Sequence, residues 1–365
     1  MMILFLFGYV DITEAQGRDG WRNMRSIVPK GYVCHRAEKP IVIDGKLDDE
    51  SWEYAEWTDY FVDIEGDVKL PPRLRTQAKM LWDDTFFYVG ADIQDPHVWA
   101  TLTAHDAVIF YDNDFEIFID PNSDNHEYYE IEINAFNTEW DLFLKKPYKD
   151  GGPATNDWEI PGLKTAVTVN GTINDPKDND SGWQVEFAIP WKVLAEYAHK
   201  ASPPKDGDIW RVNFSRVEYL PEIMLITNLR KDGESTVEKA KDARCENWVW
   251  SPQGVINMHC PEKWGYVQFS TAKPGTVSFK PDPTEPARSI LHEVYYSQRS
   301  FFQRYKRYAK TLDELRLYNL NHESLVSAPE ITLTQDGYKV SVTVKLPGGK
   351  NQTIHILQDS KIEIE

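Results

Sequence analysis

Apolar and polar residues alternate along residues 108–144, with the period of two that is typical of β-strands buried on one face. In residues 115–120, Phe115, Ile117 and Ile119 share one face of the predicted strand, while Glu116 and Asp120 share the other with Phe118 as an exception. Residues 129–135 repeat the pattern after a turn-rich segment. The sequence therefore predicts successive strands with a core on one side and carboxylates on the other.

The predicted hairpin places several acidic side chains together. Glu116 is expected near Glu130, Glu132 or Asn134, at about 5 Å for directly opposed residues. Like charges at that distance are destabilising without compensation. Three sources of compensation are open: an arginine, a calcium ion, or water at a solvated outer face.

Further short runs of β-branched and aromatic residues are separated by Asp, Gly, Asn and Pro. They predict strands at 41–43, 77–82, 86–93, 165–169, 183–189, 210–217 and 264–269, and a short helix at 190–194. Many short strands with little helical period are typical of a sandwich. The predicted fold is an all-β, jelly-roll-like antiparallel β-sandwich.

The pattern changes towards the C-terminus. Four prolines in residues 273–286 indicate a semi-rigid linker. Beyond it, the spacing predicts an amphipathic helix at 291–308, a second short helix with a capping box at 311–314, and strands at 330–334, 338–346 and 353–356. The predicted organisation is a leader and arm (1–33), the sandwich (34–272), the linker (273–286) and an α+β extension (287–365).

The composition suits a folded protein and restricts its partners. The 365 residues are 41% hydrophobic, which is enough for a sizeable core. The formal net charge of -18 argues against nucleic acid or an anionic membrane as a partner, because phosphate binding requires clustered Lys and Arg. Aromatic residues make up 13%, and their ring faces suit a core as well as a pyranose ring.

Residues 1–10 form an apolar run that resembles the core of a signal peptide, with the small residues Ala15 and Gly17 downstream and no basic residue ahead of it. This run favours export to an extracellular or periplasmic location, and the alternative is a buried N-terminal strand. No apolar stretch reaches the roughly 18 residues needed to span a bilayer, so no transmembrane segment is expected.

The chain contains three cysteines, an odd number that cannot all pair within it. Cys245 and Cys260 are close enough in sequence to form a disulfide, which would leave Cys34 alone. Free buried thiols are the alternative.

Six short phrases follow one another in a specific order. They are 43–52 (IDGKLDDESW), 81–89 (LWDDTFFYV), 114–120 (DFEIFID), 182–191 (GWQVEFAIPW), 207–213 (GDIWRVN) and 264–269 (WGYVQF). Together they resemble the family 9 carbohydrate-binding modules and their stand-alone relatives in polysaccharide-degrading bacteria. The resemblance implies a calcium-stabilised β-sandwich that holds the ends of glucan and xylan chains between two Trp rings, without cleaving them.

The resemblance also implies where the rings lie. The first belongs just before the acidic strand, where this chain has Phe110 and Tyr111, with Trp99 in the preceding loop. The second belongs in the loop before the final strand, where Trp248 and Trp250 stand. An exposed ring at Trp250 or Trp248 is expected to stack on the ligand.

Polar contacts are implied in the same way. Glu116 matches the family's sugar-contacting acid, and Asn134 is retained on the neighbouring strand. The cationic contact expected beside the sugar falls on Glu132 in this chain. Arg216 is a further candidate for hydrogen bonds to sugar hydroxyls.

Two acidic clusters offer the oxygen ligands that calcium requires. One contains Asp112 and Asp114, and the other contains Asp120, Asn122 and Asp124. A hydrated acidic turn is the alternative. Apart from a structural calcium ion, no cofactor is expected.

The sequence predicts non-catalytic binding of a polysaccharide or oligosaccharide in carbohydrate catabolism, by aromatic stacking and hydrogen bonds. One alternative is a glycoside hydrolase that uses a pair from Glu116, Glu130 and Glu132, since adjacent strands give about the 5 Å spacing of a retaining enzyme. Another is a surface-assembly or adhesion module whose C-terminal extension recruits a protein partner.

Overall fold

The protein is β-rich. The computed structural model describes residues 20–224, 236–239 and 245–365, so the leader-like run at 1–10, with Ala15 and Gly17, lies outside the described residues. The strands are β1 (Gly31–Arg36), β2 (Val62–Asp63), β3 (Thr76–Trp82), β4 (Phe86–Gln94), β5 (Asp114–Asp120), β6 (Tyr128–Asn134), β7 (Glu139–Leu144), β8 (Ala154–Thr155), β9 (Lys164–Asn170), β10 (Gly182–Pro190), β11 (Ile209–Glu218), β12 (Pro221–Met224), β13 (Thr236–Lys239), β14 (Glu246–Val249), β15 (Gly265–Ser270), β16 (Glu330–Leu333), β17 (Tyr338–Lys345), β18 (Asn351–Leu357) and β19 (Ile362–Ile364). The α-helices are α1 (Glu50–Tyr54), α2 (Trp191–Leu194) and α3 (Glu285–Tyr305).

The largest sheet is curled and mixed. Its strands lie in the order β8-β7-β6-β5-β11-β15-β1-β3-β4-β10-β9, with β14 beside β11 and β2 beside β14. β1 runs parallel to both β15 and β3. The predicted β-sandwich-like fold is confirmed in outline, but the prediction that it is wholly antiparallel is wrong at β1. A parallel neighbour requires a long crossover, and residues 37–75 between β1 and β3 supply it.

The two halves of the curled sheet enclose an apolar core. Phe115 on β5 packs against Phe187 on β10, with the ring centroids 6.1 Å apart. Phe115, Ile117 and Ile119 are all fully buried in this core, as their alternation predicts. Glu116, on the other face of β5, is only 3% exposed. The acidic face of the sheet is therefore covered by protein and is not a solvated outer surface.

A second apolar cluster forms this cover over β5, β6 and β7. The ring of Trp264 lies 5.3 Å from that of Phe118 on β5 and 5.0 Å from that of Tyr128 on β6. Side chains from residues 102–110 and from Met258 pack against the same cluster. Because both faces of β5 and β6 are buried, every polar group on the outer face requires a partner within the protein or a ligand.

The C-terminal part is an antiparallel sheet, β16-β17-β18-β19, with α3 against it. Leu291, Val294 and Tyr295 of α3 are fully buried in the same core as β17 and β18, which confirms the amphipathic helix. The helix begins at Glu285, inside the predicted linker, because Pro286 is compatible with a first helical turn.

Three local predictions are corrected. Residues 41–43 form no strand, and residues 311–314 form turns in which the Thr311 hydroxyl accepts a hydrogen bond from the Glu314 amide without starting a helix. Cys34, Cys245 and Cys260 are free thiols, so the Cys245–Cys260 disulfide is not formed. Within the described ranges, no helix combines the length and the apolar character needed to cross a membrane.

Buried polar contacts join the extension to the sandwich. Lys149 and Glu262 of the sandwich form an ion pair of 3.0 Å whose side chains are 2% and 1% exposed, and Glu262 also accepts a hydrogen bond from the Tyr296 hydroxyl of α3. Although burial alone would raise it, Lys149 lowers the pKa of Glu262 to about 2. His292 of α3 donates from Nδ1 to the Arg288 carbonyl at 2.8 Å, and its Nε2 accepts from the Asn125 amide at 2.9 Å. Burial lowers the pKa of His292 to about 4, so the imidazole is neutral at pH 7.

Acid is predicted to weaken this junction through His292. The unfolded imidazole binds a proton near pH 6.5 and the folded one only near pH 4, so its contribution to stability is lost as the pH falls between these values. The loss reaches on the order of 3 kcal/mol at about pH 4 and below. The free energy of unfolding in urea should fall between pH 7 and pH 4 in both proteins. The fall should be smaller in His292→Gln than in the wild type, by on the order of 3 kcal/mol. Equal losses in the two proteins would contradict the prediction.

Candidate functional site

A cavity of about 490 Å³ lies against the outer face of β5 and β6. The sheet contributes Glu116, Glu130 and Glu132 to its lining. Other strands of the sheet contribute Trp140, Val217 and Asn247. The remaining lining residues are Ile64, Phe110, Tyr148, Lys149, Cys245, residues 256–259 and Arg299.

The strand ladder explains how the carboxylates come together. Glu116 on β5 directly opposes Glu132 on β6. Glu130 precedes Glu132 by two residues and therefore lies on the same face of β6. Asp114 continues this face of β5 and opposes Asn134. The predicted proximity of Glu116 to Glu130 and Glu132 is therefore confirmed.

These four acids are almost completely buried. Asp114, Glu116, Glu130 and Glu132 are 0%, 3%, 4% and 1% exposed. Burial raises the pKa of Glu116 to about 7. Burial, reinforced by repulsion from Glu116, raises the pKa of each of the other three well above its ordinary value. Protonation of some of these carboxylates therefore reduces the negative charge of this face when no ligand is bound.

The carboxylates are only partly satisfied by the protein. Glu132 accepts a hydrogen bond from the Phe110 amide at 2.9 Å, and Asp114 accepts one from the Val217 amide at 3.0 Å. Oδ2 of Asp114 and Oε2 of Glu116 are buried without a hydrogen-bond partner among the residues that the structure describes. Buried polar atoms in this state are uncommon in folded proteins and point to a missing partner.

Aromatic side chains face the carboxylates. Trp140 on β7 directly opposes Glu132, and its ring lies 6.2 Å from that of Phe110. The indole Nε1 of Trp140 is buried and has no acceptor within the described part of the chain. Tyr148 packs edge-on against His259 at 4.5 Å. The cavity therefore offers ring surfaces, a hydrogen-bond donor and several acceptors at one place.

Two cationic side chains also line the cavity, and each has partners elsewhere. Lys149 pairs with Glu262, as described above. Arg299 donates from Nη1 to the Lys149 carbonyl at 2.7 Å and to Asp150 at 3.3 Å. Arg299 belongs to α3, so the C-terminal extension supplies part of the cavity wall.

The predicted tryptophans of the final loop lie away from the cavity lining. Trp248 and Trp250 are each 2% exposed and belong to the core inside the curled sheet. Trp248 opposes Arg216 of β11, whereas the adjacent Ser215 opposes Glu116, so the indole is on the face opposite to Glu116. The expectation of an exposed ring at either position is corrected by this burial.

The residues predicted for the other ring differ from one another. Trp99 is 2% exposed and packs in a small cluster with Val217, Tyr219 and Phe110. Phe110 lines the cavity. Tyr111 is 55% exposed, and its ring centroid lies 4.8 Å from that of Phe110, just outside the lining.

Two predicted polar contacts are engaged within the protein. Asn134 donates its amide to the Leu102 carbonyl at 2.8 Å and to Asp112 at 2.9 Å. Arg216 forms an ion pair of 2.7 Å with Glu218 on the core face of β11. Neither side chain lines the cavity.

The predicted calcium ligands fall into two groups. In the loop after β5, both oxygens of Asp120 accept backbone amides, and Asn122 and Asp124 each accept the amide two residues ahead. Asp112 accepts four hydrogen bonds, two of them from Thr101. Calcium at either group stays a prediction. Asp114 differs, because one of its oxygens has no partner among the described residues.

Four residues of the cavity lining were not predicted as site residues from the sequence, namely Trp140, Tyr148, His259 and Arg299. A signal for Trp140 was present, since Trp140 begins an alternating run whose strand pairs with β6. His259 and Arg299 reach the cavity through tertiary packing alone, and no local pattern indicates their position.

Comparison with known proteins links part of the chain to one family. The family model described as carbohydrate family 9 binding domain-like matches residues 43–205. The exoglucanase XynX of Acetivibrio thermocellus is 29% identical over 153 residues, which are 42% of this chain and 12% of that enzyme. The endo-1,4-beta-xylanase A of Thermoanaerobacterium saccharolyticum is 31% identical over 153 residues, which are 42% of this chain and 11% of the enzyme. The chain thus matches only a small part of these relatives.

Among solved structures, similarity is found to a family 9 carbohydrate binding module from Caldicellulosiruptor kristjanssonii in complex with cellotriose. The sequence identity is 17% and the TM-score is 0.39. The match covers 69% of this chain and all of that one.

Asp112 is predicted to hold the covering segment in place, because its carboxylate joins residues 101–102 to Asn134. Asp112→Ala should lower the free energy of unfolding by about 3 kcal/mol, since several hydrogen bonds to a charged group are lost. Asp67→Ala, at an exposed position, should change it by less than about 0.5 kcal/mol. Chemical denaturation of both variants tests this, and comparable small effects would contradict it.

Proposed function

We propose that the protein binds a saccharide without cleaving it, because residues 43–205 match the family model described as carbohydrate family 9 binding domain-like. The proposed ligand site is the cavity over β5 and β6, whose sheet side falls within the matched residues. One observation carries the proposal. Among the described residues, the buried indole N–H of Trp140 has no acceptor, and it lies in a cavity where Oε2 of Glu116 also has no partner.

The size and lining of the cavity support this assignment. About 490 Å³ falls within the range of roughly 300–1,000 Å³ that small-molecule sites occupy. The rings of Phe110, Trp140 and Tyr148 can pack against the C–H face of a pyranose. Sugar hydroxyls both donate and accept, so one ring can satisfy Glu116 and the Trp140 indole together.

The names of the relatives suggest the ligand class. They are an exoglucanase and an endo-1,4-beta-xylanase, so glucans and xylans are the first ligands to test. A polysaccharide of this kind lies outside the cell, which agrees with the proposed extracellular or periplasmic location of the protein.

The same acids support a second candidate function, glycoside hydrolysis. Oxygens of Glu116 and Glu132 lie within 4.8 Å of each other, close to the spacing of about 5–5.5 Å in retaining enzymes. Such enzymes need one protonated acid and one ionised nucleophile, whose pKa values are pushed apart. Here burial raises the pKa of both glutamates, which favours binding over hydrolysis.

Trp140→Phe is predicted to weaken saccharide binding about fivefold, because it removes one hydrogen bond while keeping a ring in place. The matched control is Trp57→Phe, a replacement of the same kind at a partly exposed ring outside the cavity, which should leave affinity unchanged. Affinity electrophoresis against soluble glucans and xylans ranks the ligands. Calorimetry with the glycan that retards the protein most then measures the dissociation constant of each variant relative to the wild type.

Three outcomes separate the candidates. Retardation that weakens in Trp140→Phe supports the proposal. Release of reducing sugar by the wild type that disappears in Glu116→Gln would establish the hydrolase instead. Equal migration with and without every glycan would reject saccharide binding and favour an assembly role.

A further inference from the structure

Three carboxylates on the outer face of β5 and β6 lie close together, and two of them, Glu116 and Glu132, line the cavity. One oxygen each from Asp114, Glu116 and Glu132 lies within 4.8 Å of the other two. Asp114 and Glu116 are neighbours on one face of β5, and Glu132 opposes Glu116 across the ladder. The arrangement is fixed by regular strand pairing and not by a mobile loop.

This acidic trio has no cationic partner among the residues that the structure describes. Other buried acids, such as Glu218 and Glu262, form ion pairs within 4.0 Å. None of the ion pairs between described residues includes Asp114, Glu116 or Glu132. Lys149 and Arg299, which line the cavity, form ion pairs with Glu262 and Asp150. Three carboxylates excluded from water therefore lack the compensation that buried charges require.

A second observation points to a ligand for the trio. Glu116 is 3% exposed, lines the cavity, and has an oxygen, Oε2, without a partner in the described part of the chain. Asp114 is fully buried, and its Oδ2 has no partner in the ranges that the structure describes. These atoms contrast with Asp112 and Asp120, whose oxygens are used by neighbouring amides.

We propose that Asp114, Glu116 and Glu132 bind a divalent cation of the calcium type at the sheet side of the cavity. Two ligands of one calcium ion, each at about 2.3–2.6 Å from it, lie at most about 5 Å apart, which agrees with the 4.8 Å limit of the trio. The donors are all carboxylate oxygens, which suit a hard cation, whereas zinc prefers histidine and cysteine.

The position of the ion gives it a role in recognition. The trio fills only part of the six to eight positions that calcium takes. The remaining positions face the cavity, where water or neighbouring hydroxyls of a sugar can fill them. The bound ion would supply a positive charge beside Glu132. This role rests on the proposed saccharide binding, whereas the ion site itself does not.

Calorimetry with calcium chloride alone, on the full chain stripped with a chelator, tests the site. The wild type should bind one ion at the trio, and Glu132→Gln should lose at least tenfold in affinity. Glu159→Gln is the matched control, because Glu159 belongs to a separate, more exposed cluster with His105 and Asp141. It should bind calcium at the trio as the wild type does. Calcium affinity unchanged in Glu132→Gln would overturn the assignment.

Thermal unfolding provides an independent measurement if a variant is poorly folded. Calcium should raise the melting temperature of the wild type and of Glu159→Gln but not that of Glu132→Gln or Asp114→Asn. In the chelator, Glu132→Gln should melt no lower than the wild type, since it removes one repelling charge. A wild-type melting temperature that does not respond to calcium would overturn the site.

Saccharide titrations distinguish this inference from the proposed function. Affinity should fall at least tenfold in the chelator and return with calcium. Equal affinity in both conditions would overturn the role of the ion while leaving saccharide binding intact. Calcium binding at the trio with no saccharide binding in either condition would reject the proposed function and leave the ion site standing.

Discussion

The structure depends on one constraint: β5 and β6 are buried on both faces. The period of two sends Phe115, Ile117 and Ile119 into the core between the halves of the sheet and sends Glu116 and Glu132 to the other side. On an open sheet those acids would be hydrated and unremarkable. Here a second apolar cluster around Trp264 covers the sheet and leaves the acids in a low-dielectric cavity. Their raised pKa values and unpartnered oxygens both follow from this cover.

Local pattern was sufficient for most of the fold. Strands such as β4, β10 and β11 and the helix α3 carry strong periodicity, so their existence and the proximity of Glu116 to Glu132 could be predicted from the sequence. β1 could not be recognised as a parallel strand, because its partners lie far away in the chain. The loop tryptophans show the limit most clearly. The sequence around Trp248 and Trp250 indicates a loop in which an indole could stack on a sugar. In the structure, strand register places Trp248 on the core face, and Trp250 packs against Phe214.

The covering residues explain why the site itself was only partly predictable. Glu116, Glu132 and Trp140 lie on three consecutive strands, whereas His259 and Arg299 come from distant segments. The approach of Arg299 depends on the docking of α3, which is held by the hydrogen bond from the Tyr296 hydroxyl to Glu262 and by that between His292 and Asn125. The junction therefore fixes the shape of the cavity wall.

The contribution of Arg299 to that wall bears on how this architecture can be inherited. Recombination that transferred only residues 43–205 into another protein would carry the acidic strands and Trp140 but would leave behind Trp264, His259 and the whole of α3. The recipient would gain an uncovered strip of carboxylates with apolar rings open to water. An intact cavity wall therefore requires the sheet and its C-terminal neighbour in the same chain.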